Sequence, residues 1–105
     1  MPNKKVLVCE DEDAIRDFVI INLKSGGYEV TGADCGEKAL EEFSKGDFSA
    51  AILDIMMPGI SGVEVCRKIR ESDGKIGIIM LTAKSQETDK IEGLTSGADD
   101  YITKP

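Results

Sequence analysis

Short blocks of consecutive apolar residues alternate along this chain with longer stretches in which apolar residues recur every three or four positions. Val6-Leu7-Val8-Cys9, Ala51-Ile52-Leu53 and Ile76-Gly77-Ile78-Ile79-Met80-Leu81 are of the first kind, and each runs straight into a polar residue. Parallel strands buried on both faces read this way. Tyr28 to Ala33 and Tyr101-Ile102-Thr103 read as two further strands. Between them lie helical patterns. From Ala14 to about Ser25, Ala14, Phe18 and Ile21, with Ile15, Val19 and Leu23 beside them, keep helical spacing until Gly26-Gly27. Asp34 with Glu37 has capping-box spacing before Ala39, Leu40 and Phe43, and Ser61 with Glu64 repeats it before Val65, Cys66 and Ile69, in a helix ending near Arg70. Ser85 is placed to cap a fourth helix through Ile91 and Leu94, closed by Gly97.

Five strands alternating with four helices, without a repeat or a linker, specify one α/β domain over residues 1–105: a doubly wound parallel sheet. The first helix is expected on one face of the sheet and the other three on the opposite face. No helix follows the fifth strand, so the chain reads as trimmed. That leaves apolar sheet surface near Val6, Val8 and Ile102 expected to be open.

Composition narrows the function. The 105 residues, 41% of them hydrophobic, supply one core. Thirteen basic against twenty acidic residues give a net charge of −7, which repels a phosphate backbone and argues against direct nucleic-acid binding by this segment. Cys9, Cys35 and Cys66 form an odd set without CxxC spacing, and the chain has no His, so they read as reduced core thiols with no redox role. The first apolar run is too short for a signal peptide or a membrane span, and the expected location is the cytoplasm.

The chemistry lies where the strands end. Glu10 and Asp11 follow the first strand, Asp54 the third, Thr82 the fourth and Lys104 the fifth, all on the carboxyl edge of the sheet, where such folds bind ligands. Three carboxylates brought together ionise comfortably only around a cation, and a set of oxygen ligands suits Mg2+. With a hydroxyl and an ammonium beside it, such a site can stabilise a phosphoryl group in transfer, with Asp54 as the nucleophile. Taken singly, each residue has a plainer reading: Asp54 as a turn residue, Thr82 as a strand residue, Tyr101 as a half-buried aromatic, Lys104-Pro105 as a surface turn and Met56-Met57 as packing.

Together, Cys9-Glu10-Asp11-Glu12, the segment Leu53 to Gly59, Leu81-Thr82-Ala83 and the run Gly97 to Pro105 resemble the receiver domain of two-component response regulators, the CheY-like superfamily. Asp89, Gly93-Leu94 and the last run look most like the OmpR/PhoB subfamily, whose receivers are normally followed by a winged-helix DNA-binding domain; none is present in this sequence. The resemblance covers Lys5 to Pro105 and implies a flavodoxin-like strand order 2-1-3-4-5. It implies that Asp54 accepts phosphate from a histidine kinase, and that Glu10, Asp11, Asp54 and the Met56 carbonyl hold Mg2+. Thr82 and Lys104 would contact the phosphoryl oxygens, with a cis Lys104-Pro105 bond aiming the ammonium. Thr82 and Tyr101 would be the switch, and Met56 and Lys84 would tune the phosphoryl lifetime. Lys90, Ile91, Leu94, Asp99 and Asp100 would contribute the part of a phosphorylation-dependent homodimer interface that this chain carries. The family usually has Asp where Glu10 stands, one methylene shorter.

A flavin carrier on the same fold would need phosphate-binding donors after the first strand, where Glu10-Asp11-Glu12-Asp13 repel an anion. A phosphatase with an Asp-x-Asp pair would need an acid where Met56 stands. A receiver that binds partners without phosphorylation has only Glu10 in its favour.

Overall fold

The computed structural model describes residues 4–82 and 97–103. The expected fourth helix, Lys84, Lys90, Ile91, Leu94, Lys104 and the Lys104-Pro105 bond lie outside the described residues. Five strands, β1 (Lys5–Cys9), β2 (Glu29–Ala33), β3 (Ala50–Asp54), β4 (Gly77–Thr82) and β5 (Asp100–Thr103), form one parallel sheet in the order β2-β1-β3-β4-β5. Among the described residues three helices connect them: α1 (Asp13–Ser25), α2 (Gly36–Lys45) and α3 (Gly62–Ser72). This is the expected doubly wound fold and strand order.

The sheet is buried on both faces at its centre because its strands alternate apolar residues onto both. Leu7, Cys9, Ala51, Leu53, Ile78 and Met80 share one core with Ala39 of α2 and Val65, Cys66 and Ile69 of α3. Val8 pairs with Gly32 in register, and a β-carbon on Gly32 would meet the Ile20 side chain, so α1 lies on the opposite face from that core. Residues Ile15, Val19, Ile20 and Leu23 of α1 are half-buried, whereas Phe18 and Ile21 point outward, 57% and 66% exposed.

Two expectations are corrected here. Val6 and Val8 are buried, because β1 lies inside the sheet between β2 and β3 with α1 packed on it. Of the three residues expected to be open, only Ile102 is, half-exposed on β5 at the sheet edge. The second correction concerns α2. Its N-cap is Cys35, in an extended conformation, and no side chain caps it. The Cys35 carbonyl opens the helix by accepting from the Ala39 amide at 3.0 Å, which leaves Asp34 outside and Glu37 one position too early to complete a capping box. In α3 the expected cap is present: Ser61 Oγ accepts from the Glu64 amide at 3.3 Å.

Candidate metal and phosphoryl site

The register places the acids at one level. Cys9 pairs with Leu53, so Glu10 and Asp54 both follow immediately where β1 and β3 lie side by side, and Asp11 comes next on the loop into α1. One carboxylate oxygen from each of Glu10, Asp11 and Asp54 lies within 4.8 Å of the others. Glu10 and Asp54 are almost fully buried, while Asp11 is exposed at the mouth.

Backbone and side-chain contacts hold these groups in place. The Met56 amide donates to Asp54 Oδ1 at 3.2 Å, and the Glu12 amide donates to Glu10 Oε2 at 3.1 Å. The longer side chain of Glu10 is thus folded back onto its own loop. Arg16 reaches across from the first turn of α1 to donate to the Glu10 carbonyl at 2.9 Å, and its other terminal nitrogen pairs with Asp13. Arg16 was not among the site candidates read from the sequence, where it carried no motif signal. Gly62 is another such residue, with its α-carbon packed on the Asp54 backbone.

Thr82 stands one strand over from Asp54, at the end of β4. Leu81 pairs with Asp54 in the β3–β4 ladder, and Thr82 is the next residue along β4. Its hydroxyl is buried, and Oγ1 has no hydrogen-bond partner among the described residues. A buried hydroxyl in that state is poised for a polar ligand atom. Tyr101, one strand further out on β5, is 36% exposed. Asp100 is exposed at the start of β5. Asp99 is not simply presented to solvent: its carboxylate accepts from Arg70 at 3.1 Å and from the Ile78 amide at 2.8 Å.

The carboxylates have hard oxygen donors and one exposed opening, which fits Mg2+, an ion that takes few protein carboxylates and keeps waters. A soft metal is disfavoured at this spot. The adjoining sulfurs are already engaged, Cys9 Sγ bonding the Cys35 carbonyl at 3.2 Å and lying 3.3 Å from Met57 Sδ. Burial, followed by the neighbouring Cys35, Asp54, Glu10 and Asp34, pushes the Cys9 thiol up to about 12, in keeping with an inert core residue. Cys66 is buried as well, and Cys35 is half-buried.

No helix among the described residues is long and apolar enough to cross a membrane. Residues 6–105 match the family model described as the response regulator receiver domain. The chain is 45% identical over 103 residues to the alkaline phosphatase synthesis transcriptional regulatory protein PhoP of Bacillus subtilis, covering 98% of this chain and 43% of that protein. It is 50% identical over 101 residues to the regulatory protein VanR of Enterococcus faecium, covering 96% of this chain and 43% of that one. The chain therefore spans less than half the length of these curated relatives, which are OmpR/PhoB-family regulators. Among solved structures, the response regulator TrrA of Thermotoga maritima in complex with Mg2+-BeF superimposes with a TM-score of 0.87 at 41% identity, over 97% of this chain and 87% of that one. The chemotaxis protein CheY4 of Vibrio cholerae gives 0.92 at 34% identity, over 99% and 88%. Sheet order, acid cluster and sequence agree: the chain belongs to the response regulator receiver domain family of two-component signalling.

Proposed function

We propose that Asp54 is the phosphoacceptor of a phosphorylation-controlled binding switch, taking its phosphoryl group from a partner histidine kinase. The observation that carries this reading is the buried Asp54 carboxylate within 4.8 Å of Glu10 and Asp11 at the carboxyl edge of a parallel sheet. The Met56 amide holds the Asp54 carboxylate in place through Oδ1, and a carboxylate oxygen of Asp54 is the attacking atom. It forms a bond to phosphorus as the bond to the donor's leaving atom breaks, giving an acyl phosphate.

Glu10, Asp11, Asp54 and the Met56 carbonyl would hold Mg2+, which when bound offsets negative charge on the carboxylates and the phosphoryl oxygens. The Thr82 hydroxyl donates to a phosphoryl oxygen, and Lys104 contributes its ammonium. Thr82 and Tyr101 then alter the surface around β5, where Asp99, Asp100, Lys90, Ile91 and Leu94 meet a second receiver in the phosphorylated state. The domain does no turnover chemistry beyond gaining and losing its own phosphoryl group, and acts in the cytoplasm. Its output is transcriptional, through a DNA-binding domain outside residues 1–105; the curated relatives are regulators of transcription more than twice the length of this chain.

The test is intact-protein mass after incubation with Mg2+ and acetyl phosphate, beside Asp54→Asn and a magnesium-free control. One phosphoryl adduct, present only with both Mg2+ and Asp54, is the expected result. A folded chain that takes up no phosphoryl group would favour a receiver that binds its partners unphosphorylated.

A further inference from the structure

The guanidinium of Arg70, in the last turn of α3, bonds to two backbone carbonyls and one carboxylate. It donates to the Ile76 carbonyl at 2.7 Å, to the Gly97 carbonyl at 3.1 and 2.8 Å, and to Asp99 Oδ2 at 3.1 Å. The same Asp99 oxygen accepts from the Ile78 amide at 2.8 Å, and the Asp99 amide donates to the Ile78 carbonyl at 2.8 Å. Gly97 has φ +114°, and a β-carbon there would stand 3.2 Å from Arg70 Cγ, so the turn passes directly over the arginine stem. Only a planar fork of five donors serves this many acceptors at once.

Among the described residues, little else holds the strand that follows this staple. Residues Asp100, Tyr101 and Ile102 of β5 are all exposed, so the strand contributes little apolar burial. It is kept on the sheet by its ladder to β4 and by the polar anchor immediately before it. Segments with few buried contacts open first.

We propose that Arg70 is a positioning residue that fixes the Gly97–Asp99 turn against α3 and β4, and thereby sets β5 as the surface through which the state of Asp54 is read. This rests on the proposed phospho-switch, but the staple can be tested without it. Amide hydrogen exchange would be compared in wild type, Arg70→Gln, Arg70→Lys and Asp99→Asn, first without phosphodonor. Arg70→Gln is expected to speed exchange at Ile78 and Asp99 on the order of 10-fold while Leu7 and Leu53 stay protected. Arg70→Lys, with a single ammonium, should fall between the two, and Asp99→Asn, which keeps an oxygen acceptor for the Ile78 amide but loses the charge that faces Arg70, should speed exchange at Ile78 and Asp99 less than Arg70→Gln does. With Mg2+ and acetyl phosphate, Arg70→Gln should gain its adduct at the wild-type rate but lose the accompanying change in exchange over Tyr101–Thr103.

Unchanged exchange at Ile78 and Asp99 overturns the proposal. So does a rise of the same size at Leu7 and Leu53, which would mean general destabilisation, or an intact response at Tyr101–Thr103. If the wild type takes no phosphoryl group, the phospho-switch fails, and the comparison without phosphodonor still decides whether Arg70 anchors the turn.

Discussion

The α-carbon of Gly62 lies against the backbone carbonyl of Asp54, so close that a β-carbon built on Gly62 would run into that oxygen. The Gly62 amide also donates to the Ile55 carbonyl at 3.0 Å. The start of α3 is therefore pressed onto the end of β3, and the candidate nucleophile is fixed from behind by a residue with no side chain. Gly62→Ala should destabilise the domain by about 2 kcal/mol or more, since backbone and not a flexible side chain must yield. Urea unfolding checks this, and a midpoint within error of wild type would show that the contact relaxes freely.

Three carboxylates within 4.8 Å repel one another when no cation is bound. Asp54→Asn is expected to raise stability in magnesium-free buffer, on the order of 1 kcal/mol. Adding millimolar Mg2+ should raise the melting temperature of the wild type and move that of the variant much less, because binding to the folded state alone is stabilising. An equal response from both proteins would place the ion elsewhere.

Ser61 and Asp34 share one sequence pattern but not one role. Ser61→Ala removes the acceptor for the Glu64 amide and should cost about 1 kcal/mol. Asp34→Ala should cost less than about 0.5 kcal/mol, because Asp34 lies outside α2 and caps nothing there. Denaturant midpoints of the two variants, measured side by side, decide it.

Cys9 makes stability depend on alkaline pH. Its thiol ordinarily titrates near 9.0 and is pushed up to about 12 in the fold, chiefly by burial. Below 9.0 the thiol is protonated whether the chain is folded or not, and its contribution is intact. Between 9.0 and about 12 only the unfolded chain loses the proton, so stability falls as pH rises, by at most about 1.4 kcal/mol per unit from this group. The measurement is the difference between wild type and Cys9→Ala in unfolding free energy at pH 8 and pH 10.5, in which every group the two proteins share cancels. The wild type should lose more. At pH 8, alkylation of the folded chain should label the half-buried Cys35 before Cys9.

The sequence by itself determined the sheet and most of its site. Strands buried on two faces must be continuously apolar, so Val6 to Cys9, Ala51 to Leu53 and Ile78 to Leu81 announced themselves, and the polar residues ending them, Glu10, Asp54 and Thr82, had to fall on one edge of a parallel sheet. Chain order and residue type suffice for that. Tertiary structure alone decided which of two similar capping patterns forms, because Cys35 rather than Asp34 takes the extended conformation that opens α2. It alone turned Phe18 and Ile21 outward while setting Ile15, Val19 and Leu23 toward the sheet, since the apolar positions of α1 run most of the way round the helix. It alone brought Arg16 to the Glu10 carbonyl, Gly62 to Asp54, and Arg70 to Gly97 and Asp99. The last of these contacts joins residues 27 and 29 positions apart through one backbone carbonyl and one carboxylate. Every residue carries a carbonyl, so no pattern of side-chain types reveals which ones a guanidinium will find; only the packing of α3 beside the β4–β5 edge does.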